Sequence, residues 1–138
     1  MSEDWIAGGC LCGAIKFEVR LPSKWCAHCH CSMCRRAHGA PYVTWVGFAR
    51  EQFRLVAGTP SRHRSSEAAT RSFCGQCGSM LTFESTRWAG EVHVARAAIP
   101  GAIDHRPMAH VFFSDKADWV TVDDDLPKRG GISGTEPL

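Results

Sequence analysis

The sequence predicts a mainly β domain with at most short helices, and three observations carry that prediction. Ile15, Phe17 and Val19 alternate with Lys16, Glu18 and Arg20, the period-two pattern of a strand with one buried face. Runs rich in β-branched and aromatic residues recur along the chain, separated by turns rich in Gly, Pro and Asp. No window of about 11 residues shows the apolar spacing of an amphipathic helix.

Taken in order, strands are expected at 15–19, 42–48, 71–73, 80–84, 91–95, 110–114 and 119–122. Turns are expected at 39–41, 58–60, 100–101 and 123–127. Helical character is confined to 32–38, after a cysteine cluster, and to 50–53. Residues 129–138 are glycine-rich and read as a flexible tail. A chain of 138 residues without linker or repeat reads as a single domain over 1–138.

Composition narrows the function classes. Sixteen basic against fourteen acidic residues leave a net charge of +2, too small to imply nucleic-acid binding on its own. Met1-Ser2-Glu3-Asp4 lacks the basic start of a secretory signal, and no apolar run approaches the ~18 residues of a membrane helix. The sequence therefore predicts a cytoplasmic protein with no membrane partner and with reduced thiols. Eight cysteines in such a chain call for a metal.

Those cysteines fall into three groups. Cys10-Leu11-Cys12-Gly13 and Cys74-Gly75-Gln76-Cys77-Gly78 are knuckles, tight turns that aim two thiolates at one ion. The glycine after each pair permits the positive φ of such a turn. Together Cys10, Cys12, Cys74 and Cys77 predict a structural zinc site. The middle group, Cys26, Cys29, Cys31 and Cys34, has three readings. All four can close a second structural site. Alternatively, Cys29, Cys31 and Cys34 supply three thiolates and leave a position open, as catalytic zinc requires. A redox C-x-x-C is the third reading, although the βαβ context it needs is missing.

At these residues the chain resembles the glutathione-dependent formaldehyde-activating enzyme family, which shares its domain with the centromere protein V group. The matching elements are Gly9-Cys10-x-Cys12-Gly13, Cys29-His30-Cys31-x-x-Cys34-Arg35 and Arg71-x-Phe73-Cys74-x-x-Cys77-Gly78-Ser79. Pro107-x-x-His110, Lys116-x-x-Trp119 and Asp125-Leu126-Pro127 follow, so that the resemblance spans about 8–128. It implies an Mss4-like, zinc-clamped β fold holding two zinc ions per chain. Cys10, Cys12, Cys74 and Cys77 would bind the structural ion and Cys29, Cys31 and Cys34 the catalytic one; Cys26 lies outside the motif.

The activity implied is that of a carbon–sulfur lyase, forming or cleaving S-hydroxymethylglutathione or a related thiol–aldehyde adduct. Glutathione is then a co-substrate, and the partners are a small thiol and an aldehyde. Arg35 and Arg71 are candidates for binding its carboxylates, since a guanidinium suits bidentate contact. His30 is a candidate substrate contact or proton shuttle, and His110 occupies a family position that a structural hydrogen bond would explain equally well. The alternative is a non-catalytic zinc module for protein or nucleic acid. Arg50, Arg54, Arg62, Arg64 and Arg71 form a basic stretch, although Glu51 and Glu67 interrupt it.

Overall fold

Among residues 5–138, the part of the chain that the computed structural model describes, the alternating segment is a strand with Phe17 and Val19 buried at 1% and 0% exposure. The strands are β1 (Trp5–Gly9), β2 (Lys16–Arg20), β3 (Trp25–Cys29), β4 (Val43–Ala49), β5 (Phe53–Ala57), β6 (Ser61–Arg64), β7 (Ala69–Phe73), β8 (Met80–Ser85), β9 (Glu91–Ala95), β10 (His110–Val111), β11 (Arg129–Gly130) and β12 (Glu136–Pro137). One α-helix, α1 (Ser32–His38), follows β3, and single 3₁₀ turns lie at Arg50–Gln52, Thr86–Trp88, Arg96–Ala98 and Phe113–Asp115. The fold is mainly β.

The chain divides into two compact units. The first takes the described residues up to Lys24 and then Val46–Asp104. In it β1, β2 and β5 form an antiparallel sheet, with Phe17 opposite both Gly8 and Leu55. A second antiparallel run orders β9, β8, β7 and β6, with Thr82 opposite Val94 and Arg71 opposite both Phe83 and His63. Ile15, Phe17, Val19, Phe48, Leu81 and Val94 are buried here. Each such side chain contributes about 1.5–3 kcal/mol on leaving water.

The second unit takes Trp25–Trp45 and His105–Leu138. Its centre is β3 paired in parallel with β10, His28 opposite His110 and Cys29 opposite Val111. The helix α1 ends at Gly39, whose φ of 59° is left-handed and whose N–H returns to the Arg35 carbonyl.

Three segments differ from their expected form. The strand expected at 110–114 stops at Val111, because Phe112 turns to a φ of 53° and a 3₁₀ turn begins at Phe113. Residues 119–122 form a turn and irregular chain rather than a strand, with Trp119 68% exposed. Residues 129–138, expected to be a flexible tail, fold back as an antiparallel hairpin of β11 and β12. The Gly131 and Gly134 that suggested looseness supply its turn instead, both at positive φ, and the Phe112 N–H bonds the Gly134 carbonyl at 2.9 Å.

Candidate metal centre and buried thiol cluster

Each knuckle of the first unit is a hydrogen-bonded turn. The Cys10 N–H bonds the Ile15 carbonyl at 3.1 Å, and the Ile15 N–H points back at Cys10 Sγ at 3.2 Å. The Cys74 N–H bonds the Ser79 carbonyl at 2.9 Å, and the Gln76 N–H lies 3.4 Å from Cys74 Sγ. Gly13 and Gly78 close the turns at φ 82° and 79°, a conformation that a side chain would strain.

These turns bring the sulfurs of Cys10, Cys12, Cys74 and Cys77 within 4.8 Å of one another. A tetrahedral zinc with Zn–S bonds of about 2.3 Å sets its sulfurs about 3.8 Å apart. Cys10–Cys12 and Cys12–Cys74 are 3.7 and 3.8 Å apart, so the group fits a metal ion of that size. Backbone amides prepare the thiolates. The Ile15 amide pulls the Cys10 thiol below its usual range, and the Ser79 hydroxyl and amide bring Cys77 down to about 5. Cys12 moves the other way. The Ala14 amide lowers it, but burial and the neighbouring thiols together push it up to about 11.

The second unit gathers Cys29, Cys31 and Cys34. Cys29 ends β3, Cys31 is the residue that caps α1, and Cys34 lies in the first turn of that helix. Cys29 and Cys34 are buried, with sulfurs 3.7 Å apart, again the edge of a zinc tetrahedron. Cys31 is less buried. The Cys29 and Cys34 thiols hold Cys31 down at about 2, helped by the Cys34 and Met33 amides and opposed by burial. Those same contacts with Cys31 and Cys34, together with burial, push Cys29 up.

Strand geometry separates Cys26 from this cluster. Successive side chains of β3 point to opposite faces, so Cys26 and Cys29 face opposite ways. Three residues of strand also span about 10 Å, beyond the reach of one ion. None of the eight cysteines forms a disulfide.

Beside the cluster runs a chain of polar groups. His30 Nε2 lies 2.8 Å from His110 Nδ1, and His110 Nε2 lies 2.8 Å from Asp124 Oδ2. Both rings are buried, at 0% and 1% exposure. Burial, then His110, pushes His30 down to about 4, while the His110 ring holds the Asp124 carboxyl below its usual range. Arg35 donates from Nε to the His30 carbonyl at 3.2 Å and from Nη2 to the Asp115 carbonyl at 2.9 Å. Arg71 lies elsewhere, buried in the first unit with its guanidinium 4.9 Å from the centre of the Phe83 ring.

The sequence matches the family described as glutathione-dependent formaldehyde-activating enzyme over residues 5–115. The chain belongs to that family. It is 29% identical to a Halomonas elongata protein provisionally named as a glutathione-dependent formaldehyde-activating enzyme, covering 86% of this chain and 81% of that one. It is 28% identical to an uncharacterized lyase of Schizosaccharomyces pombe, covering 80% of each. A crystal structure of a Rhodobacter sphaeroides protein superposes with a TM-score of 0.61 at 26% identity, over 70% of this chain and 90% of that one.

Several further observations bear on this family member. Arg50 and Arg62 pair with Glu84, Arg54 pairs with Glu18 at 2.7 Å, and Arg64 bonds the Glu67 carbonyl. Four of the five arginines of the basic stretch thus have acidic or carbonyl partners within their own unit. Among the described residues no helix is long and apolar enough to cross a membrane. Sequence reasoning missed Asp124, which it had placed in an acidic turn. The only signal was the pair of family positions around it, His110 and Asp125-Leu126-Pro127. It also missed Ser79 as a support to the metal centre, although that residue stood in the quoted motif.

Proposed function

We propose that this chain is a zinc-dependent carbon–sulfur lyase that forms or cleaves S-hydroxymethylglutathione or a related thiol–aldehyde adduct. The observation that carries the reading is the grouping of Cys29, Cys31 and Cys34 at the junction of β3 and α1, with the Cys29 and Cys34 sulfurs 3.7 Å apart, an edge of zinc-site length. Family membership supports the thiol and aldehyde as substrates. Two zinc ions per chain are proposed, one at Cys10, Cys12, Cys74 and Cys77 and one at Cys29, Cys31 and Cys34. We place the activity in the cytoplasm, where thiols stay reduced.

The reaction adds a thiol across the carbonyl of formaldehyde. The carbon–sulfur bond forms, the carbonyl π-bond becomes a hydroxyl, and the thiol proton ends on that oxygen, with no change of oxidation state. A free thiol with a pKa near 8.5 is mostly protonated at neutral pH, which limits the uncatalysed rate. Bound zinc supplies a cation that favours thiolate at an open coordination position. The chain does the rest. Cys29, Cys31 and Cys34 hold the site, with Cys31 on its more accessible side. Arg35 spends two of its five donors on carbonyls and keeps the others for a glutathione carboxylate. His30 contributes polar contact from within the cluster.

Exchange spectroscopy of a formaldehyde and glutathione mixture tests this. The zinc-loaded chain is expected to accelerate adduct exchange over the protein-free mixture, and Cys31→Ser to abolish the acceleration. A wild-type protein that accelerates no thiol–aldehyde pair would remove the reading.

A further inference from the structure

We infer that Asp124, acting through His110, fixes the tautomer of His30 so that its Nδ1 is kept as a bare hydrogen-bond acceptor within the Cys29–Cys31 segment. Asp124 and His110 are then positioning residues for that nitrogen.

The assignment follows from counting protons along the chain of groups. Ionised Asp124 can only accept. Its oxygens lie 2.8 and 3.1 Å from His110 Nε2, so that nitrogen carries the hydrogen. A neutral imidazole has one N–H, which leaves His110 Nδ1 as an acceptor. His30 Nε2, 2.8 Å away, must therefore donate. The remaining nitrogen, His30 Nδ1, has no hydrogen, and it is buried without a protein partner. Shifting each proton by one place is worse at both ends. It sets bare His110 Nε2 against a carboxylate, and it leaves a buried N–H on His30 with nothing to receive it.

The surroundings hold each ring in place. His30 packs against Tyr42, His110 and Phe113 with ring centres 5.0, 5.0 and 5.1 Å away. Its backbone is pinned by its N–H to the Val111 carbonyl at 3.0 Å and by Arg35 on its own carbonyl. Asp124 is held in turn, since its Oδ1 accepts the Leu126 N–H and the His110 N–H bonds the Pro127 carbonyl. A bare, buried nitrogen calls for a ligand with a donor hydrogen. On the lyase reading proposed above, on which this last step rests, that ligand is the thiol co-substrate.

Long-range proton–nitrogen correlation on the full-length, metal-loaded, ¹⁵N-histidine-labelled chain reads each tautomer without substrate. The expected spectrum shows His30 Nδ1 as a bare, pyridine-like nitrogen and Nε2 as an N–H. Asp124→Ala should draw the two His30 nitrogen shifts together. Asp124→Asn, whose amide oxygen can still accept, should restore the wild-type pattern. Asp124 has a side chain 45% exposed, so neither change empties the core. An N–H on His30 Nδ1 in the wild type, or a His30 spectrum unmoved by Asp124→Ala, overturns the inference. Neither readout uses turnover, so this result and the lyase test fail separately.

Discussion

Ser79 Oγ accepts the backbone N–H of Leu11 at 3.0 Å, linking the two knuckles of the metal centre across 68 positions of sequence. The same oxygen lies 3.2 Å from Cys77 Sγ. One hydroxyl therefore holds the tip of one knuckle while facing a ligand sulfur of the other.

Ser79→Ala removes both contacts. Losing the part-buried contact with the Cys77 sulfur and the bond to Leu11 predicts lower stability. Support of this kind around a metal ligand is typically worth about 10–100-fold in affinity. Chelator competition should show weaker metal retention, and urea melts the lower stability.

Cys26→Ala separates the two readings of the middle cysteine group. Cys26 is fully buried, so the change should cost about 1–2 kcal/mol as a small core cavity. Zinc per chain and turnover should both be unchanged, whereas Cys29→Ala should lose one equivalent. Elemental analysis beside a denaturant melt makes the comparison.

Arg35→Lys keeps the charge but not the fork that spans the His30 and Asp115 carbonyls. Losing about 1–1.5 kcal/mol of hydrogen bonding at the Cys29–Cys31 segment predicts about a tenfold fall in kcat/KM. If the guanidinium also holds a carboxylate, a glutathione analogue lacking its glycine carboxyl should lose less activity in the variant than in the wild type.

His93 gives a pH dependence. Burial lowers its pKa below 6.5, and the bond to Glu91 only partly opposes this. The unfolded chain therefore takes up the proton first. The stability from keeping His93 neutral is present above about pH 6.5 and is lost as pH falls through that value. His93→Gln should flatten the stability–pH slope below pH 6.5 by up to one proton relative to the wild type. Paired urea melts from pH 7.5 to about 5 read the difference, and comparing the two proteins at each pH cancels acid loss of metal.

What the sequence disclosed depended on whether a signal was local. Phe17 and Val19 alternate, so β2 was legible, and the short helix at 32–38 was found with the bounds of α1. The knuckle cysteines and their glycines announced a metal centre whose sulfurs the fold brings together. β3 was hidden because Trp25–Cys29 reads first as a cysteine cluster, and β6 because Ser61–Arg64 is wholly polar and exposed. The same alternation that was overlooked in β3 is what turns Cys26 away from Cys29. The His30–His110–Asp124 chain was out of view because its members lie 80 and 14 residues apart, and only pairing of β3 with β10 brings them together.

The wide spacing between Cys10-x-Cys12 and Cys74-x-x-Cys77 has a consequence during synthesis. Cys10 and Cys12 leave the ribosome long before Cys74 and Cys77, whose sulfurs complete the group. Until then this site offers an ion only half a coordination shell. Final grip on the metal, and the closure of the first unit around it, must wait until translation has passed the second knuckle.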